Sequence, residues 1–244
     1  MGPRNCPAGA GVPSTVALSG LALFLLLASA PPPSKADAYR ASIAALATDR
    51  EQLAAEFAGA ARARARAQVL ERARERALRG IVDELLPPWS GTPWRLDGTS
   101  QTPGEGFIAC SYLVTTVLRD AGFRVPRARL AQAPSEQIAR SLAPPGAVAR
   151  LTSGDPARVL EHIRARGPGL YLVGLDYHVG FVVNAGERMD FCHSSVLPPG
   201  TALCEPAATA AAFSSTVHVV APLLTDWMVQ RWLEGARFPL WQLG

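Results

Sequence analysis

The sequence predicts an α+β fold in which helices come first along the chain and an antiparallel sheet follows. Residues 37–86 have helix-forming composition, with apolar residues spaced three or four apart. Short apolar or alternating runs separated by turn residues follow residue 169, as strands do. The chain has 244 residues, of which 48% are apolar, so it can form one domain with a sizeable core and a helical appendage.

The first thirty residues have the features of an export signal. Arg4 supplies a positive charge before an apolar run over residues 15–28, and Ala28-Ser29-Ala30 matches a small-x-small cleavage site. The run is shorter than the roughly 20 residues that a membrane-spanning helix needs. We therefore predict a cleaved signal peptide over residues 1–30 and a location in the periplasm or cell envelope; the alternative is an uncleaved anchor.

The segment 37–86 is predicted to form one long helix or a helical hairpin, ended by Pro87 and Pro88. One face is apolar and the other carries Arg and Glu, so the segment could pack on the domain, self-associate or bind a protein partner. Most of the positive excess behind a net charge of only +4 lies within it, at the arginines of residues 62–79. That charge is too small to require an anionic partner, and we expect no nucleic-acid binding.

Residues 87–244 are expected to form the α+β domain itself. A turn-rich stretch over 89–105 precedes helices expected at 110–121, 131–142 and 156–165. Asp155 and Pro156 are a strong start signal for the third of these, as N-cap and first helical residue. Strands are expected at 169–175, 177–183, 188–194 and 214–221, followed by a closing helix at 224–234.

Export changes how the cysteines are interpreted. Removal of a signal peptide would remove Cys6 and leave three cysteines, so at least one thiol would be free. Cys192 and Cys204 flank a short loop and are candidates for a local disulfide, which would leave Cys110 as the free thiol. The alternative is three unpaired cysteines.

Cys110 opens a predicted helix directly after a glycine-containing loop. The unpaired N–H groups at a helix N-terminus favour an anion, so a thiolate at this position is stabilised. The backbone N–H groups of Cys110 and Ser111 could also hold the oxyanion of a tetrahedral intermediate. The alternative for Cys110 is a buried structural cysteine.

Two histidines are predicted to lie close together on neighbouring strands. His178 shares a strand face with Gly180, which we expect to leave open space beside the imidazole. The turn at 184–187 folds the next strand back and places His193 beside His178, whereas Asp190 falls on the opposite face. His178 would then act as a base and His193 would orient it. No C-x-x-C or H-x-x-x-H spacing occurs, so we expect no zinc site.

Four segments resemble motifs of the NlpC-type papain-like cysteine endopeptidases. In that family Gly-Thr-Pro-Tyr-x-Trp-Gly-Gly precedes Gly-Phe-Asp-Cys-Ser-Gly-Leu-Val, and later segments read Ala-Gly-x-x-Leu-Pro-Arg, His-Val-Gly-Ile-Tyr and Phe-Ile-His-Ala-Ser. The corresponding segments here are residues 91–100 with 106–114, 121–127, 178–183 and 191–195. Their order and approximate spacing agree over roughly residues 86–220.

The resemblance implies a papain-like domain in which the nucleophile helix packs on an antiparallel sheet. It implies Cys110 as nucleophile, His178 as base and His193 as the third residue, in an enzyme that hydrolyses amide bonds of peptidoglycan stem peptides without a metal or cofactor. Trp94 stands where the family has a substrate-side Tyr, and Tyr112 replaces the Gly after Cys-Ser, so both are expected to contact substrate. Ala109 and Asp97 also depart from the family pattern, again around the triad and not in it. The alternatives are a non-catalytic wall-binding or scaffold protein and an acyl or amide transferase.

Overall fold

The computed structural model describes residues 34–241, and the predicted signal peptide lies outside the described residues. The described part belongs to one compact unit of helices around an antiparallel sheet, as the α+β prediction requires. No helix in this part is both long and apolar enough to cross a membrane.

The segment expected to be one helix or a hairpin is a hairpin of α1 (Lys35–Gly59) and α2 (Ala63–Arg79). A single π-helical turn, Gly80–Leu85, continues α2 up to the two prolines. The apolar faces of both helices enter the same core as the rest of the chain. The expected division at residue 86 is therefore not a boundary between separate cores.

Six strands form one antiparallel sheet in the order β1-β6-β2-β3-β4-β5. The central four are β2 (Gly169–Gly174), β3 (Val179–Asn184), β4 (Met189–Ser194) and β6 (His218–Pro222). All four were predicted, with shifted ends. The edge strands β1 (Ala149–Leu151) and β5 (Ala202–Pro206) were missed. Both are short, and β5 carries Ala, Glu and Pro, which are poor strand formers that edges tolerate.

The helices after the hairpin are α3 (Cys110–Asp120), α4 (Arg127–Ala131), α5 (Ser135–Leu142), α6 (Pro156–Ala165) and α7 (Asp226–Glu234). The single helix expected over 131–142 was wrong. Pro134 lacks a backbone N–H and so separates α4 from α5. The predicted N-cap of α6 is confirmed, since the Asp155 side chain accepts a hydrogen bond from the Ala157 N–H.

The sheet has a helical layer on each face. On one face, Val179, Phe181 and Cys192 join the core made with the hairpin, α3, α5 and α7. On the other face, Val182 and Phe191 join a smaller core with α6. This alternation follows from the period of two in a strand, and it sends His178 and His193 to the smaller core's side.

Candidate active site

The nucleophile candidate Cys110 is the first residue of α3, which packs against β3 and β4. Its thiol is free, whereas Cys192 and Cys204 form a disulfide between β4 and β5. The N-cap residue Ala109 makes no side-chain capping bond to the first turn. The N–H groups of Cys110 and Ser111 at the start of α3 therefore have no side-chain acceptor at the N-cap, and they hydrogen-bond to the Cys110 sulfur.

His178 and His193 lie within hydrogen-bond distance, as the strand pairing predicted. His178 Nε2 is 2.9 Å from His193 Nδ1, and His193 is almost fully buried. His193 Nε2 lies 2.9 Å from Glu205 Oε1 on the neighbouring strand β5. The three side chains therefore form one hydrogen-bonded row across β3, β4 and β5.

The Glu205 carboxylate determines which nitrogen donates and which accepts in each hydrogen bond of this row. An ionised carboxylate only accepts hydrogen bonds, so Glu205 receives the Nε2–H of His193. His193 Nδ1 is then the unprotonated nitrogen, and it accepts the Nε2–H of His178. The lone pair of His178 is thereby assigned to Nδ1, the atom left to take a proton from the cleft.

Sequence reasoning missed Glu205, although a signal for it existed. The predicted disulfide would pair Cys192 with Cys204, and in an antiparallel ladder the residues flanking such a pair lie on the other face. The structure has this register, with Phe191 opposite Glu205 and His193 opposite Leu203. Glu205 thus shares the face of His193, on a strand that was not predicted. Asp190 lies on the disulfide's face, as expected, and pairs with Arg188.

The space expected beside Gly180 is not open. A Cβ on Gly180 would lie 2.6 Å from Phe191 Cε2 and 2.8 Å from the Cys192 carbonyl oxygen. The Phe191 ring fills the space, stacking on His193 at 4.4 Å between ring centroids and meeting His178 edge-on at 5.8 Å. The prediction of an open face was wrong because a neighbouring strand supplies the side chain that occupies it.

Burial dominates the electrostatics of the thiol. It raises the pKa of Cys110, and hydrogen bonds from the backbone N–H groups of Val179, Ser111 and Cys110 itself oppose this rise. The N–H groups expected at the helix start are present, yet desolvation outweighs them. The Cys110 side chain is therefore a neutral thiol at rest. The N–H of Val179, contributed by β3, was not foreseen from the sequence.

Burial also keeps the His178 imidazole uncharged. Desolvation, followed by the neighbouring His193, lowers the pKa of His178 to about 3. Burial lowers the pKa of His193 as well, against the opposing effect of Glu205. At neutral pH the site therefore holds a thiol and an unprotonated imidazole, which is the state needed for general-base attack.

Cys110 and His178 line one cleft of about 500 Å3. The two residues expected to contact substrate, Trp94 and Tyr112, line it too. The Tyr112 hydroxyl accepts a hydrogen bond from Gln132 at 3.3 Å, and the Arg127 guanidinium lies 4.8 Å from the Tyr112 ring centroid. Every residue predicted for the site except the disulfide pair and buried His193 thus lines this cleft.

We expect Glu205→Gln to lower kcat/KM by about 10- to 100-fold with little change in KM, because the carboxylate orients His193 and stabilises a positive charge on the imidazoles. Asp190→Asn is the matched control, since this carboxylate lies on the same pair of strands but on the opposite face. Steady-state kinetics with an activated ester would check this. Equal losses in the two variants would show that Glu205 has only a general effect on the sheet.

Searches of protein-family models, curated proteins and solved structures found no match to this chain.

Proposed function

We propose that this protein is an exported cysteine hydrolase that cleaves amide or ester bonds. The observation that supports this best is the hydrogen-bonded row Glu205–His193–His178. His178, which carries the unprotonated nitrogen Nδ1, lines the same cleft as the Cys110 thiol. A papain-like arrangement and the NlpC-type resemblance belong to the same proposal. They make peptidoglycan stem peptides the first natural substrates to test.

The geometry suggests a general-base mechanism. Cys110 Sγ attacks the carbonyl carbon while its proton moves to His178 Nδ1, and the carbonyl oxygen accepts hydrogen bonds from the N–H groups of Cys110 and Ser111. His178 then protonates the leaving group, and a thioester on Cys110 remains. Water then attacks the thioester as His178 takes its proton, the C–S bond breaks to release the acid, and His178 returns the proton to the Cys110 sulfur.

Export is the part of the proposal that rests on residues 1–30. The Cys192–Cys204 disulfide agrees with it, because such bonds persist in oxidising compartments. In cells, an antibody against residues 34–241 should detect the wild-type protein in the envelope fraction. A variant that lacks residues 15–28 should remain in the cytoplasm.

Trapping the acyl-enzyme tests the chemistry. Mixing the protein with p-nitrophenyl acetate and quenching in acid should give one acetyl group per chain by intact mass, and peptide mapping should place it on Cys110 and not on Cys6. Incubation with stem peptides should give the corresponding acyl adduct if they are substrates. Acetylation at another residue, or turnover with no adduct in a rapid quench, would contradict a Cys110 nucleophile.

The pH profile follows from the buried imidazole. Because His178 has its pKa lowered to about 3, it remains able to accept a proton well below the usual histidine value of about 6.5. We expect kcat/KM to hold down to about pH 5 and to fall only in more acidic solution, as His178 becomes protonated. A stopped-flow profile measured with a non-titrating ester would check this. An acidic limb centred near the ordinary histidine pKa would contradict it.

A further inference from the structure

Large exposed apolar side chains concentrate around the candidate active site. Within residues 34–241 five such side chains are exposed, and four of them line the cleft of Cys110 and His178. The four are Tyr177 at 100%, Leu96 at 81%, Val196 at 64% and Leu197 at 40% of full exposure. Single exposed apolar residues are ordinary, but a cluster at a cleft marks a binding surface.

Hydrogen bonds hold the loops that present these side chains. Leu197 donates its N–H to Ser195 Oγ at 3.1 Å, and its carbonyl accepts from the Gly200 N–H at 2.7 Å. The Trp94 N–H bonds to the Gly200 carbonyl at 2.9 Å, which ties the loop before α3 to the β4–β5 loop. Hydrogen-bonded turns therefore keep the rim of the cleft, formed by Leu96, Tyr177, Val196 and Leu197, exposed to solvent.

The β2–β3 hairpin is tied in the same way. The Asp176 N–H donates to Ser215 Oγ at 3.0 Å, and the Asp176 carboxylate accepts from the Thr216 N–H at 2.8 Å. Tyr177, next to His178, is thus held out into solvent at the hairpin tip. An apolar rim that is preorganised binds apolar groups without the entropy cost of ordering its loops.

The cleft offers no formal charge to a substrate. None of its lining residues is Asp, Glu, Lys or Arg, and His178 is neutral at physiological pH. Two arginines near the lining have other partners. Arg95 pairs with Asp97 and stacks on Phe107, and Arg127 bonds to Thr116 and to the carbonyls of Thr99 and Ser100. A carboxylate entering this cleft would lose its hydration without gaining a cation.

Resting on the proposed function, we propose that this cleft selects an uncharged acyl group with an apolar chain or side chain, which the rim of Leu96, Tyr177, Val196 and Leu197 covers. In the reaction the S–C bond to the acyl carbon forms as the bond to the leaving oxygen or nitrogen breaks, and water then releases the carboxylic acid. A cleft of about 500 Å3 matches the size of small-molecule sites.

The test uses the full-length protein with the p-nitrophenyl esters of acetate, butyrate and hexanoate. A fourth ester has the same six-carbon acyl chain with a carboxylate at its far end. Burying one methylene raises transition-state binding about fourfold, so kcat/KM should rise by roughly 200-fold from acetate to hexanoate. The terminal carboxylate should remove most of this gain. The p-nitrophenyl ester of N-acetyl-leucine is compared with the hexanoate ester. The better substrate of the two shows whether the cleft prefers a peptide-derived acyl group or a linear aliphatic one.

Two rim variants and a matched control locate the selectivity. Leu197→Ser and Leu96→Ser should each lower the hexanoate-to-acetate ratio by about fivefold, because each removes apolar surface that covers the longer acyl chain. Phe107→Ser, at the fifth exposed side chain but outside the cleft, should leave that ratio unchanged. Cys110-dependent turnover that is flat across the series, or that prefers the carboxylate, would overturn the inference alone. Absence of any Cys110-dependent turnover would overturn the proposed function, and this inference with it.

Discussion

Cys110→Ala is expected to lower kcat/KM for an activated ester by at least about 10³-fold, because no other group lining the cleft can form the thioester. The fold should persist. Ala suits the first turn of a helix, and the half-buried thiol is held only by backbone N–H groups. The measurements are steady-state kinetics and thermal unfolding of the purified variant.

In a full-length chain that keeps residues 1–30, Cys6→Ala is the matched control, since it removes a cysteine that lies outside the described residues and should leave turnover unchanged. His178→Gln should lower kcat/KM by about 10²- to 10⁴-fold through loss of the base, and with the nucleophile intact it should still react slowly with iodoacetamide. Turnover by Cys110→Ala at the wild-type rate would refute the cysteine hydrolase. Loss of turnover together with a collapsed unfolding transition would instead assign Cys110 to the core.

Gly180→Ala is expected to lower the free energy of unfolding by about 2 kcal/mol and to impair turnover at the same time. The new Cβ would meet the Cys192 carbonyl oxygen at 2.8 Å, which belongs to the β3–β4 ladder and cannot move freely. It would also meet the Phe191 ring at 2.6 Å. Because this ring stacks on His193, its displacement would disturb the row from His178 to Glu205.

Gly154→Ala is a suitable control, because a Cβ there has no atom within 4 Å and the backbone does not require glycine. It should change stability by less than about 0.5 kcal/mol. Urea unfolding and kcat/KM are the measurements. Adding Phe191→Leu to Gly180→Ala should restore part of the stability if the ring is the obstacle. A Gly180→Ala protein with wild-type stability and activity would show that the sheet absorbs the methyl group easily.

The features that could be predicted from the sequence depend on contacts that are local along the chain. Asp155 and Pro156 define the start of α6 through hydrogen bonds within a few residues. Alternation and the turn after Asn184 place β3 beside β4, so His178 and His193 become neighbours across one hairpin. The short loop between Cys192 and Cys204 favoured their disulfide for the same reason.

Other features depend on pairings that no local pattern specifies. Glu205 enters the site only because the weakly patterned edge strand β5 adds to the sheet, and Phe191 fills the space at Gly180 only across the ladder.

The thiol pKa is a similar case. The helix start predicted a stabilised thiolate, but the burial that raises the pKa of Cys110 comes from the packing of α3 on β3 and β4. The sequence by itself therefore identified the residues that we propose for the chemistry, Cys110 with His178 and His193. The tertiary structure decided their charge state, the additional partner Glu205 and the apolar rim around them, since desolvation and side-chain burial arise only when distant segments pack together.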